Sequence, residues 1–591
     1  MIDATILYVI GTSMSVQQLY YSYTQEPDLC IKGGLVADVF SGQWVQGVDI
    51  LVKDGRILDW VQPDSVKARH SIDVEGAAVI PALMDSHVHI ESSFLTPERF
   101  ADLVIANGTG TIIADPHEIA NVLGMTGIDY MIEAASHTGL NIQFMFPSCV
   151  PSTPFEHAGA TLGAKDFAKA LAAKKVLGLA EVMNVPGVLA GDPELLAMLE
   201  SARAAAAPVD GHAPMLSGRA LSQYAALGVK TDHECSSVEE MHERIRRGMM
   251  VHLRMGSAAK NVPTLIKGVS EQNQAMCSFC CDDAHPKDIS ENGHMQKHLR
   301  YAVSHGVSAI NAVRMATINT ARHYGLSDRG ALAPGYIADI TVVKDLVNFD
   351  VCEVFLKGVQ YVKDGQLCLK TTHFADHSSV KSSVKLPQLT LESFKISLKD
   401  APARVIGLVP GELLTKDLSE KLNVGEGYFD AAINPGHIQV SVIERHHASG
   451  HIGHAIVSGY LKEGARMNAA VATTVSHDSH NLVIGGDNPQ DMLLAAREIE
   501  RLGGGMCVVK NGRVLASVAL PIAGLMSDLT APEFIAKQNH FYAILHEAIP
   551  VADNIEAVMN LAFLALPVIP TLRVTDTGLF DVTQFSPIPL Q

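Results

Sequence analysis

From about residue 80 to 325, short apolar runs alternate with longer stretches whose apolar positions recur at helical spacing. The short runs end near His87, Asp115, Pro147, Glu181, His212, His233, Arg254 and Asp282, and PELLAMLESARAAA and VEEMHERIRRG lie between two pairs of them. Eight such runs predict parallel βα units, and eight is the number that closes an α/β barrel. A different pattern flanks this region. LCIKGGLVADVF, GVDILVKDGRILDW and SIDVEGAAVI alternate apolar and polar residues between Gly and Asp turns, and GALAPGYIADITVVKD, VCEVFLKGVQYVKDG and QLCLK do so again far downstream. These two pieces predict halves of one small β-sandwich.

The expected fold class is therefore α/β. A (β/α)8 TIM-type barrel over 81–325 interrupts a small β-sandwich built from 29–80 and 326–371, and a C-terminal α/β domain covers 387–591. In that domain IQVSVIER, HAIVSGYL and MCVVKNGRVLA read as strands and DMLLAAREIERL as a helix. The Ser-rich THFADHSSVKSSVKLP before it reads as a linker, and residues 1–28 as an N-terminal extension.

Composition narrows the function classes. With 591 residues, 47% of them hydrophobic, the chain can bury several cores. A net charge of -18 gives no basic footprint for a nucleic acid. No apolar run reaches the roughly 18–20 residues of a bilayer span, and the start of the chain makes a poor signal peptide, so no membrane partner is expected. Nine scattered cysteines fit a reduced, cytoplasmic protein. The Cys277–Cys280 pair lacks a second CxxC and reads as strand packing.

The chemistry gathers at the strand ends. His87 and His89, two apart, point to one face of the first strand. Glu181 ends the fourth, where a two-metal site would want a bridging anion. His212 and His233 end the fifth and sixth, and Asp282 and Asp283 the eighth. Imidazoles and carboxylates collected at one barrel mouth can hold a divalent metal and activate water, which points to a metal-dependent hydrolase. Asp115, His117 and Glu118 end the second strand, as second-layer or substrate contacts or as loop structure. His477 and His480 lie far away, in SHDSHN, and either cover the pocket or make another metal contact.

The order HxH, His, His, Asp over strands one, five, six and eight resembles the amidohydrolase superfamily. PALMDSHVHIESSFLTPERF, ADPHEIANVLG, GLAEVMNVPGV, DGHAP, HECSS, GSAAKN and CDDAHP resemble the bacterial adenine deaminases more closely, as do ATTVSHDSHN, GGGMCVVKNG and LPIAGLMS. The resemblance implies metal ligands at His87, His89, Glu181, His212, His233 and Asp282 holding two divalent cations per chain. Mn2+ is the expected metal, with Fe2+ or Zn2+ as alternatives, since spacing does not choose among them. Glu181 stands where dihydroorotases and hydantoinases place a carboxylated lysine. The implied reaction is adenine plus water giving hypoxanthine and ammonia, in purine salvage. Asp282, Glu234 and Glu181 would be catalytic, Glu234 delivering a proton to the ring and Asp282 one to the departing amino group. Asp283, Glu118 and His117 would contact the purine, a small-molecule partner, and a homodimer is compatible with the apolar content. Met255 departs from the family, where Glu is usual, and Cys281 stands where Thr is common. The alternative is a deaminase or cyclic-amide hydrolase of the same superfamily acting on another heterocycle.

Overall fold

The computed structural model describes residues 14–257 and 259–591. Of the expected N-terminal extension, residues 1–13 lie outside the described residues. The rest includes a helix, Val16–Ser22, started by a Ser15–Gln18 capping box and tied to the next segment by a hydrogen bond from Ser22 Oγ to Asp54 Oδ2 (2.9 Å). The chain is of the α/β class and divides into two compact units. The first takes the described residues up to Pro116, with Met131–Ser148 and Gly163–Ala375, and the second takes His117–Tyr130, Cys149–Leu162 and Asp376–Gln591.

Eight parallel strands run through the first unit: β1 (Leu83–Val88), β2 (Thr109–Ala114), β3 (Asn141–Phe144), β4 (Leu179–Val182), β5 (Val209–Gly211), β6 (Thr231–Asp232), β7 (Met250–Arg254) and β8 (Cys277–Cys280). Each is bonded to the next. β1, β2 and β3 form one ladder, β4 pairs with β5, and β6, β7 and β8 form another. Phe146 N–H donates to Gly178 O (2.8 Å) between β3 and β4, and Lys230 N–H to Val209 O (3.0 Å) between β5 and β6. A parallel bridge from Val88 to Asp282 joins the end of the series to its start. β1 and β2 are buried at every position, as strands covered on both faces require.

The helices between them follow their sequence signals. In Pro193–Ala204 the Asp192 carboxylate accepts the N–H groups of Glu194 and Leu195 (2.9 and 3.1 Å), and Pro193 opens the first turn. Leu195, Met198, Leu199 and Ala202 form its buried stripe. Each large side chain there contributes ~1.5–3 kcal/mol by leaving water.

Two further sheets complete the first unit. One runs Arg56–Val61, Asp49–Lys53, Leu29–Lys32, His70–Asp73. The other has seven strands, in which Ile340–Val343 lies between Val351–Leu356 and Ala78–Pro81, pairing Val342 with Val79. Residues before and after the parallel strands thus share one sheet, and Leu29, Ile31, Ile50, Val79, Ile340 and Phe355 share one apolar core.

In the second unit an eight-stranded sheet packs against the helix Pro489–Leu502, whose N-terminus Asn488 caps and whose C-terminus ends on Gly503 at φ 73°. Two expectations are corrected here. MCVVKNGRVLA is a hairpin, Gly505–Lys510 against Arg513–Ala519, because Asn511 and Gly512 both adopt positive φ (52° and 71°) and turn the chain back. The Ser-rich stretch before the domain is no solvated tether, since Val380 is buried and Ser383 accepts hydrogen bonds from Arg445.

Candidate metal centre

Within the first unit, His87 and His89 come from the end of β1, Glu181 from β4, and His212 follows β5. His233 and Glu234 follow β6, and Asp282 follows β8. Hydrogen bonds beneath them fix these ends in register. Asp85 Oδ1 accepts the N–H groups of His87 (3.2 Å) and Cys281 (3.1 Å), so one carboxylate pins the ends of β1 and β8 together. Asp282 N–H donates to His87 O (2.9 Å), and Asp282 takes a left-handed φ of 59°, which Asp tolerates better than most residues. Asp232 Oδ1 accepts from the N–H of Ala213 (3.3 Å) and of Glu234 (2.9 Å). Asn261 donates to His233 O (2.8 Å) and accepts from Arg254 N–H (2.7 Å).

Glu181 stands at the centre, with each oxygen facing a different pair of imidazoles. Oε1 lies 3.3 Å from His89 Nε2 and 3.7 Å from His87 Nε2. Oε2 lies 2.8 Å from His212 Nδ1 and 3.3 Å from His233 Nε2. Asp282 Oδ1 adds a second acid atom to the first pair, 3.1 Å from His89 Nε2 and 3.5 Å from His87 Nε2. His87 Nε2 is buried and makes no hydrogen bond of its own. His89 Nδ1 faces the carbonyl of Asp115 (3.0 Å), so that nitrogen carries the proton and Nε2 turns its lone pair inward.

Burial would raise both acids. The imidazoles of His212, His233 and His89 nevertheless hold Glu181 well below the carboxylate range, and Arg254, His87 and His89 do the same for Asp282. Burial would lower His212, but Glu234 and Glu181 outweigh it and push it up to about 9. A cluster whose acids stay ionised in a buried site attracts positive charge. Four imidazole nitrogens and two carboxylates converging this way fit divalent cations as ligands.

Other expected residues have definite places. Asp283 Oδ1 accepts from Ser92 Oγ (2.5 Å). Glu234 Oε1 lies 3.4 Å from His233 Nε2. His117 and Glu118 open a helix, His117–Leu123, that belongs to the second unit. Within that unit Glu118 is ion-paired with His480 and, at 2.9 Å, with His477 Nδ1. Ser476 N–H donates to His480 Nδ1 (3.1 Å), which leaves the His480 proton on Nε2, directed at Glu118. His477 and His480 therefore form a hydrogen-bonded brace on Glu118.

Sequence reasoning missed Arg254, treated only as the end of a strand. Its Nη1 donates to Asp282 Oδ2 (2.6 Å) and to Glu234 Oε1. A cation at the last position of an apolar strand, between two strands each followed within two residues by an acid, was the signal for it.

Comparison with known proteins agrees with this geometry. The profile of the amidohydrolase family matches residues 78–361, and that of the adenine deaminase C-terminal domain matches residues 412–586. A Nitratidesulfovibrio vulgaris protein named adenine deaminase is 46% identical over 560 residues, covering 95% of this chain and 96% of its own. Adenine deaminase 2 of Desulfotalea psychrophila is 43% identical over 572 residues, with 96% and 97% covered. The adenine deaminase of Clostridium acetobutylicum is 42% identical over 563 residues, with 95% and 97% covered.

Proposed function

We propose that this chain, which belongs to the adenine deaminase family of the amidohydrolases, removes the 6-amino group of adenine by hydrolysis, giving hypoxanthine and ammonia in purine salvage. The observation that carries this reading is Glu181, set between two imidazole pairs in a chain alike over nearly its whole length to proteins of that name. The eight parallel strands are read as a (β/α)8 TIM-type barrel over 81–325. The small β-sandwich of 29–80 and 326–371 and the C-terminal α/β domain of 387–591 complete the layout, after an extension over 1–28.

His87, His89 and Asp282 would hold one divalent cation and His212 and His233 a second, with Glu181 bridging them. Mn2+ is the favoured metal for this mixed set, with Fe2+ or Zn2+ as alternatives. Cations there would lower the pKa of water from 15.7 toward about 7 and so supply a nucleophile at neutral pH.

The side chains manage the protons. Oxygen adds to C6, the C6–N bond breaks, and the two protons of water end on a ring nitrogen and on the leaving ammonia. Burial would raise Glu234, but Arg254, His212 and His233 hold it below the ordinary range. It therefore enters as a carboxylate, takes the first proton from water and delivers it to the ring nitrogen. Asp282, also ionised, takes the second and passes it to the amino group. Asp283 accepts a ring N–H, and His117 and Glu118 are proposed as further purine contacts.

A small purine needs no basic groove, in keeping with the charge of -18. Among the described residues no helix is long and apolar enough to cross a membrane. The nine cysteines are all free, which supports the proposed cytoplasmic setting, and a homodimer is the proposed assembly. The test is ammonia release from adenine after chelation and reconstitution with Mn2+, Fe2+ or Zn2+, with adenosine and cytosine in parallel. Metal-dependent turnover of adenine alone is expected. Bound metal without turnover of adenine would move the assignment to the second reading, another heterocycle, for which Met255 is the observation.

A further inference from the structure

Asp282 and Glu234 carry the two proton transfers of the reaction proposed above, yet they come from different strands. Asp282 follows β8 and Glu234 follows β6, while β7 runs between them. Carboxylates brought this close repel each other, and each can rotate about its side-chain bonds. Only one described cation meets both. Arg254, the last residue of β7, reaches Asp282 Oδ2 at 2.6 Å and Glu234 Oε1 through the same nitrogen, Nη1.

The contact divides each carboxylate into two unlike oxygens. On Asp282, Oδ2 is taken by Arg254, which leaves Oδ1 directed at His89 Nε2 (3.1 Å) and His87 Nε2 (3.5 Å). On Glu234, Oε1 faces Arg254, His233 Nε2 (3.4 Å) and His212 Nδ1 (3.8 Å). Arg254 is itself held at both ends. Its backbone N–H is bonded to Asn261 Oδ1 (2.7 Å), Asn261 N–H donates to Arg254 O (3.0 Å), and the guanidinium is largely buried. A planar, permanently charged group on a fixed backbone can set a distance that a flexible ammonium cannot.

We propose that Arg254 is a positioning residue of the deamination, a spacer that fixes Asp282 and Glu234 relative to each other and presents Asp282 Oδ1 and Glu234 Oε2 to the reacting atoms. It rests on the reaction proposed above. Arg254 transfers no proton and holds no metal. Its effect is therefore on the chemical step, where misplacing a group by about 1 Å costs on the order of 100-fold.

The experiment compares wild type with Arg254→Lys and Arg254→Ala, all loaded with Mn2+. Readouts are kcat and KM for adenine, metal content, and hypoxanthine affinity by calorimetry. The expected result is a fall in kcat of about 100-fold or more in both variants, with KM and hypoxanthine affinity within about threefold of wild type and metal content unchanged. Added methylguanidinium is expected to restore Arg254→Ala by at least about tenfold and to leave Arg254→Lys unchanged, a response that loss of folding could not give. Lysine supporting kcat within about threefold of wild type would overturn the spacer role, as would a loss concentrated in KM or in bound metal. A crystal structure of Arg254→Ala separates this inference from the functional reading. Glu234 Oε1 and Asp282 Oδ2, which Arg254 holds together, are expected to move apart, and an unchanged placement of the two oxygens would refute the spacer even if wild type proved inert on adenine.

Discussion

Asp232 and Arg244 form an ion pair 2.8 Å long, with both side chains fully buried in the first unit. Arg244 reaches it from the helix Val238–Ile245 and also donates to Ala213 O (2.6 Å), while Asp232 accepts from the N–H groups of Ala213 and Glu234. The pair thus joins the ends of β5 and β6, from which His212 and His233 project. Arg244→Leu should leave Asp232 buried and unpaired and cost about 3–5 kcal/mol of stability. Denaturant unfolding checks the cost. Bound metal should fall with it, and a variant with wild-type stability would show that the pair does not organise these strand ends.

Asp282→Asn keeps the shape of the side chain and its contact with Arg254 but removes the carboxylate proposed to accept a proton. Turnover of adenine should drop by roughly 1,000-fold or more. Activity within about tenfold of wild type would remove Asp282 from the proton path.

Glu181→Gln should act differently, because the change falls on a side chain that faces both imidazole pairs. Metal analysis after dialysis should show less bound cation than wild type, with affinity reduced by at least about 10–100-fold. Unchanged metal content would end the bridging assignment.

Glu156 offers a pH test in the second unit. Its buried carboxyl accepts from Ser152 Oγ (2.7 Å) and Thr153 N–H (3.2 Å), and burial, with Asp478 adding to it, pushes it up to about 8 from an ordinary 4.5. A raised acid binds its proton more tightly in the folded state. Its contribution to stability is whole below pH ~4.5 and is lost as pH rises through about 8. The melting temperature of wild type should therefore fall between pH 5 and 8. In Glu156→Gln, which keeps the accepting oxygen, the fall should be smaller, and parallel curves for the two proteins would exclude Glu156 as its source.

Gly256, in the loop after β7, is fixed by space. A Cβ there would meet the carbonyl oxygens of Cys281 at 2.5 Å and Asp283 at 2.6 Å. Gly256→Ala should force the β7 and β8 loops apart and lower kcat with little change in melting temperature, because the loops lie at the site and outside the core. Wild-type kcat in this variant would show that the loops tolerate the separation.

These residues also show what a sequence can reveal about such a site. The strand ends were readable because seven of the eight apolar runs stop at a polar residue and the third at Pro147, and His87 and His89 because a strand repeats every second residue. Asp85, Asp232 and Asn261 were not, since each also holds a backbone group distant in sequence, of Cys281, Ala213 and His233 respectively, brought near only by the fold. Arg254 escaped for the same reason, its meaning depending on acids 20 and 28 positions away. The hairpin around Asn511 and Gly512 was readable in principle from its Asn-Gly pair.

The seven-stranded sheet has a consequence for how the protein is made. Ala78–Pro81, buried at every position in the finished sheet, pairs along one edge with Leu35–Asp38 but finds the neighbour for its other edge only when Ile340–Val343 has been synthesised. At about 5–20 residues per second, the ribosome needs on the order of tens of seconds to supply that partner. Throughout that interval an apolar strand edge waits unpaired on the nascent chain, so the early β segment is where chaperone engagement, or aggregation in its absence, should concentrate.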